Sequence, residues 1–116
     1  MKLRISGNSV RLRLKPSEVS QLADQGLVED RVEFAPDSVL VYSLQASPRS
    51  AVPTASYTDG KLEVRIPQTT ARRWAASSDV AIEAQQDVLA ILIEKDFRCA
   101  HQAGSDNDVY PNPALT

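Results

Sequence analysis

The chain has 116 residues, 42% hydrophobic and 24% charged, with a formal net charge of −2 and a single cysteine. That length can bury one proper core without disulfides or a structural metal, and the near-neutral charge excludes a general attraction to nucleic acid or an anionic membrane. Cys99 alone allows no intramolecular disulfide, which fits a reducing cytoplasm, and no run of residues is apolar for long enough to act as a signal peptide or a membrane span.

Lys2 to Ile5 and Ser9 to Leu14 alternate polar and apolar side chains and are joined through Gly7-Asn8, two residues that tolerate the positive φ of a tight turn; an antiparallel pair is predicted. Pro16 suits a first helical position, Glu18 sits in the positive first turn, and Val19, Leu22 and Ala23 share one helical face that Gly26 is placed to end. Val28, Asp30, Val32 and Phe34 then alternate with Glu29, Arg31 and Glu33, and Pro36-Asp37 turns the chain into a strand from Val39 to Leu44. Residues 47–55 carry two prolines and few large apolar groups and read as a loop. Beyond it the order returns: Ser56 to Thr58, a strong hairpin signal at Asp59-Gly60, Lys61 to Ile66, a helix from about Pro67 to Ala76, Val80 to Ala84, a turn at Gln85-Gln86-Asp87, and Val88 to Glu94. From Phe97 onward the pattern lapses into an irregular tail.

The two halves echo each other 52 residues apart. Val10-Arg11-Leu12-Arg13-Leu14 aligns with Leu62-Glu63-Val64-Arg65-Ile66, Val19/Leu22/Ala23 with Ala71/Trp74/Ala75, Val28/Val32 with Val80/Ala84, and Val39-Leu40-Val41 with Ile91-Leu92-Ile93, without a gap. The expected fold is α+β: one domain over 1–116 built from a duplicated β-β-α-β-β unit (about 2–46 and 54–98), with a tail at 99–116. About eight strands should form one curved antiparallel sheet, closing into a barrel that removes unpaired edges, with two helices anchored by Leu22 and Trp74. An open sheet with both helices on one side is the alternative.

The opening, Met1 to Leu14 (MKLRISGNSVRLRL), and the close, Glu94-Lys95-Asp96-Phe97-Arg98-Cys99 with Tyr110-Pro111-Asn112-Pro113, resemble a family of short uncharacterised bacterial proteins. That resemblance covers essentially the whole chain and implies no activity, ligand or catalytic residue. The duplicated helix-containing unit is also similar to the CYTH, or triphosphate-tunnel, architecture, a resemblance of fold alone. The hallmark Glu-x-Glu-x-Lys of that family is absent, because the first strand reads Lys2-Leu3-Arg4-Ile5-Ser6. A metal-dependent triphosphatase is therefore not expected.

Candidate chemistry lies on the charged strand faces. Arg4, Arg11, Arg13 and Arg65 are the candidate ligand-binding residues, able to present forked donors to a phosphate or carboxylate if the first hairpin lies beside its repeat. The competing reading is a solvated outer face of cross-strand ion pairs. Cys99, His101, Asp106 and Asp108 match no zinc signature, so neither a metal site nor a cofactor is expected there. One histidine, no nucleophile elbow and no Gly-rich phosphate loop leave catalysis without an assembled set of residues. Arg72 and Arg73 flank Trp74, yet at helical spacing the indole points inward, so nucleic acid is not expected as a partner. A small non-catalytic binding or interaction domain is the preferred reading; its partner could be a protein or an anionic small ligand. The second is a CYTH-like enzyme or sensor acting at the arginine-rich face.

Overall fold

The computed structural model describes residues 1–97. Its elements are β1 (Lys2–Ser6), β2 (Ser9–Leu14), α1 (Pro16–Gln25), β3 (Leu27–Ala35), β4 (Ser38–Ser47), β5 (Thr54–Thr58), β6 (Lys61–Pro67), α2 (Gln68–Ala76), β7 (Ala81–Gln86) and β8 (Leu89–Lys95). All four hairpins and both helices are present in the expected order, but the last turn is Asp87-Val88, with Gln85 and Gln86 in β7 and Val88 outside β8, and β5 begins at Thr54, inside the stretch read as a loop. The capping chemistry agrees as well: Glu18 accepts a hydrogen bond from the Lys15 backbone N–H at 2.9 Å, and Gly26 closes α1 at φ +79°.

The pairing between hairpins differs from the expected barrel. The strands form two separate four-stranded sheets, ordered β1-β2-β8-β7 and β3-β4-β6-β5. Each hairpin is antiparallel, but β2 runs parallel to β8 and β4 parallel to β6, so both sheets are mixed. The first hairpin lies beside the last one and not beside β5–β6. The sheets also stay open, because their facing edges are tied by side chains and not by a backbone ladder. At one edge the Gln86 amide donates to the Ala55 carbonyl at 2.9 Å and accepts from the Ala55 N–H at 2.7 Å. Across the other, the Met1 ammonium reaches Glu18 of α1 and lies 3.4 Å from Asp30 of β3, while the Tyr42 hydroxyl donates to the Met1 carbonyl at 3.1 Å.

Alternation decides what fills the space between the sheets. Val10, Leu12 and Leu14 of β2 face Val64, Leu62 and Ile66 of β6 across the core, together with Ile91 and Ile93 of β8 and Tyr42 and Leu44 of β4. Burying a side chain such as Leu14 or Ile93 completely contributes about 1.5–3 kcal/mol. Both helices leave the same end, directly after β2 and β6, and pack against each other there. Leu22 and Trp74, at 1% and 2% exposure, plug that end. Lys95 lies over the Trp74 ring, its ammonium 5.4 Å from the centroid and donating to the Ser77 carbonyl at 2.8 Å.

The constant 52-residue alignment fails in the second hairpin of each half. Ile91 lies opposite Val10 across the β2–β8 ladder, but Leu62 lies opposite Tyr42, so Tyr42 and Leu44 take the places expected for Val39 and Val41. The reason is length. β4 begins at Ser38, three residues before its first partner Val41↔Lys61, whereas β8 begins one residue before Ala90↔Ser9. The β3–β4 hairpin therefore projects further past its neighbour than the β7–β8 hairpin does.

Candidate functional site

Parallel pairing of the central strands has a consequence for the end opposite the helices. β2, β4, β6 and β8 all start there, so all four hairpin turns gather at one end: the Asn8 carbonyl accepts from the Ala90 N–H at 3.0 Å and the Gly60 carbonyl from the Val41 N–H at 2.9 Å. No helix among the described residues closes this end. The sheets part into a cleft of about 410 Å³, within the volume range typical of small-ligand sites. Leu3, Ile5, Val10 and Leu89 line it from one sheet. Leu40, Ala55, Tyr57 and Leu62 line it from the other, and Tyr57 and Ser56 are the only residues with polar side chains among the described residues of its wall.

The apolar character continues outward onto the lips. Each hairpin carries one large apolar side chain at its turn that is mostly exposed: Ile5 (63%), Phe34 (71%), Tyr57 (66%) and Val88 (75%). Single exposed apolar residues are ordinary. Ile5 and Tyr57 also line the cleft and so extend it onto exposed apolar surface, the kind that marks an interaction site, while Phe34 and Val88 stand at the other two turns of the same end.

The candidate arginines lie elsewhere. Lys2, Arg4, Arg11 and Arg13 share the outer face of β1 and β2, since Arg4 pairs with Arg11 and Lys2 with Arg13 across the hairpin, and they rim a shallow depression of about 270 Å³. Two carboxylates, Glu94 and Asp96, answer these four cations. Arg13 donates through Nε and Nη2 to one Glu94 oxygen at 3.0 and 2.9 Å, Arg11 Nε lies 3.8 Å from the same oxygen, and Lys2 lies 3.6 Å from Asp96. Arg4 is exposed and has no ion pair among the described residues. Arg65 belongs to the other sheet, on β6, where it pairs with Glu63 at 3.2 Å; Lys61 reaches the same carboxylate at 3.3 Å. Three of the four arginines are thus brought together and the fourth is not, because the hairpin that carries it pairs with β4.

Trp74 is buried and unavailable for stacking on a base, with Arg72 and Arg73 exposed beside it. Cys99, His101, Asp106 and Asp108 lie outside the described residues, among which no group of three metal-capable side chains assembles. Nor is any helix there long and apolar enough to cross a membrane. Burial first, then the Asp30 and Glu18 carboxylates, push the Tyr42 phenol up from its usual value.

The cleft was not read from the sequence, although a signal was present. Ile5, Phe34 and Tyr57 each stand immediately before the last strand residue ahead of a turn, and Val88 stands in one, where solvent exposure favours polar side chains. No curated protein and no solved structure matches the chain. A family match does exist and spans residues 1–114, nearly the whole length: the chain belongs to the Family of unknown function (DUF7009).

Proposed function

We propose that this protein is a non-catalytic binding domain that receives an apolar group of its partner in the cleft between the hairpin ends of the two sheets. The observation that carries the reading is an apolar cavity that opens at the end where four apolar side chains are exposed, two of which, Ile5 and Tyr57, line it, with no carboxylate or amine among the described residues of its wall. Such a wall can hold and orient an apolar group. Among the described residues its side chains offer only hydroxyls for chemistry, and a hydroxyl lacking a partner base is a poor nucleophile. We place the domain in the cytoplasm, in keeping with its single cysteine, and read its two β-β-α-β-β halves as a duplication in which each half contributes one hairpin to each sheet.

The test is binding of a neutral solvatochromic dye, Nile red, to the full chain. Saturable enhancement with one site is expected, and it should be lost in Ile5→Ser/Tyr57→Ser, which changes only side chains that are already exposed in the fold. Enhancement unchanged by that double substitution would place the dye elsewhere and end the reading.

A second reading, an anion site on the outer face of β1–β2, is favoured by Arg4. It stands directly opposite Arg11, an unfavourable like-charge pair, and a phosphate or carboxylate there would relieve it. Arg11 and Arg13 already share Glu94, and Arg65 is remote, so this site is weaker than four converging arginines would make it.

A further inference from the structure

The charges around the cleft select among its possible occupants. Three of the four turns carry an aspartate, Asp37, Asp59 and Asp87, all exposed and none in an ion pair among the described residues. The one cation adjoining those turns among the described residues, Lys61, has its ammonium 3.3 Å from Glu63 on the outer face. The lips are therefore apolar at the side chains before the turns and negative at the turns themselves.

We propose that the cleft docks a basic amphipathic segment of another protein, with the segment's apolar side chains between the sheets and its lysines or arginines against Asp37, Asp59 and Asp87. This rests on the apolar-binding reading above and adds the sign of the partner's charge. Complementary potentials favour such a partner and suppress others. A second copy of this chain docking mouth to mouth would bring both sets of aspartates together, and an anionic lipid surface or a fatty-acid carboxylate would meet the same negative rim. The outer-face cations do not reverse this: Arg4 and Arg11 point away from the cleft, on the opposite face of their strands from Leu3, Ile5 and Val10.

Asparagine tests the charge without disturbing the turns. Asp59 and Asp87 hold φ of 52° and 54°, and asparagine adopts that left-handed conformation readily. The experiment is fluorescence anisotropy of the full chain with two labelled amphipathic peptides of one pattern, one of leucine and lysine and one of leucine and glutamate. The lysine peptide is expected to bind, and to bind at least about tenfold more tightly than the glutamate peptide, the sum of a few rim ion pairs. Asp37→Asn/Asp59→Asn/Asp87→Asn should remove that preference, and Ile5→Ser/Tyr57→Ser should weaken both peptides. Equal affinity, or preference for the glutamate peptide, overturns the charge assignment while Nile red binding keeps the cleft reading intact. Binding of neither peptide overturns the docking proposal, as does lysine-peptide binding indifferent to Ile5→Ser/Tyr57→Ser. Co-sedimentation with phosphatidylglycerol vesicles would overturn it in favour of a membrane surface.

Discussion

Tyr42 joins three parts of the molecule at one atom. Its ring lies in the core on β4, and its hydroxyl donates to the Met1 carbonyl beside the Asp30 and Glu18 carboxylates. All of these neighbours oppose a phenolate, so the fold favours the neutral form and the folded pKa lies above the unfolded value of about 10. The resulting stabilisation is whole below about pH 10 and is lost as the pH rises through the folded pKa. The wild-type melting temperature should therefore fall more steeply above about pH 10 than that of Tyr42→Phe. At neutral pH the substitution should cost about 1 kcal/mol, the usual net value of one hydrogen bond. Melting curves at stepped pH check both, and parallel declines would show that the hydroxyl is not sensed by the fold. At this scale the sequence was informative about which residues share a face. Arg4, Arg11 and Arg13 emerge together because alternation alone sets them so, whereas the separation of Arg65 depends on which hairpin neighbours which, and residue spacing carries no information about that.

Among the elements, the hairpins are the best determined, and their turns show why. Gly7 and Gly60 both hold positive φ, at +56° and +74°, but their surroundings differ. An added Cβ at Gly7 meets nothing within 4 Å, while at Gly60 it would lie 2.9 Å from the Val39 carbonyl oxygen. Gly7→Ala should cost about 1–2 kcal/mol from the left-handed backbone alone, and Gly60→Ala distinctly more, because β4 must also move. Denaturant unfolding of the two variants compares them directly; equal losses would contradict the close packing of the β5–β6 turn on β4. Turn residues made these hairpins legible, but the phase of β4 was not. Strict polar–apolar alternation is absent there, since Val39-Leu40-Val41 is apolar at every position, and a shift of three residues moves the inward set to Leu40, Tyr42 and Leu44. The extra length of the β3–β4 hairpin produces that shift, and an ungapped alignment has no means of registering it.

The molecule as a whole is two sheets held together at one end and parted at the other. Helices α1 and α2, with Leu22 and Trp74, fill the closed end; the Met1 cluster fastens one pair of edges and the Gln86–Ala55 amide pair the other, beside the β7–β8 turn; no helix caps the turns among the described residues. A closed barrel would have removed both the edges and the cleft, which is why the cleft could not be foreseen from strand patterns that suit either arrangement equally. The central claim is that the parted end accepts an apolar group. The most direct measurement is methyl NMR of the full chain, labelled at Ile, Leu and Val and titrated with 1-octanol, a neutral alkyl probe. The account predicts saturable shifts at Leu3, Ile5, Leu40, Leu62 and Leu89, with Leu14 and Leu22 at the helical end unmoved. Shifts concentrated at the helical end, or none up to the solubility limit of the probe, would contradict it.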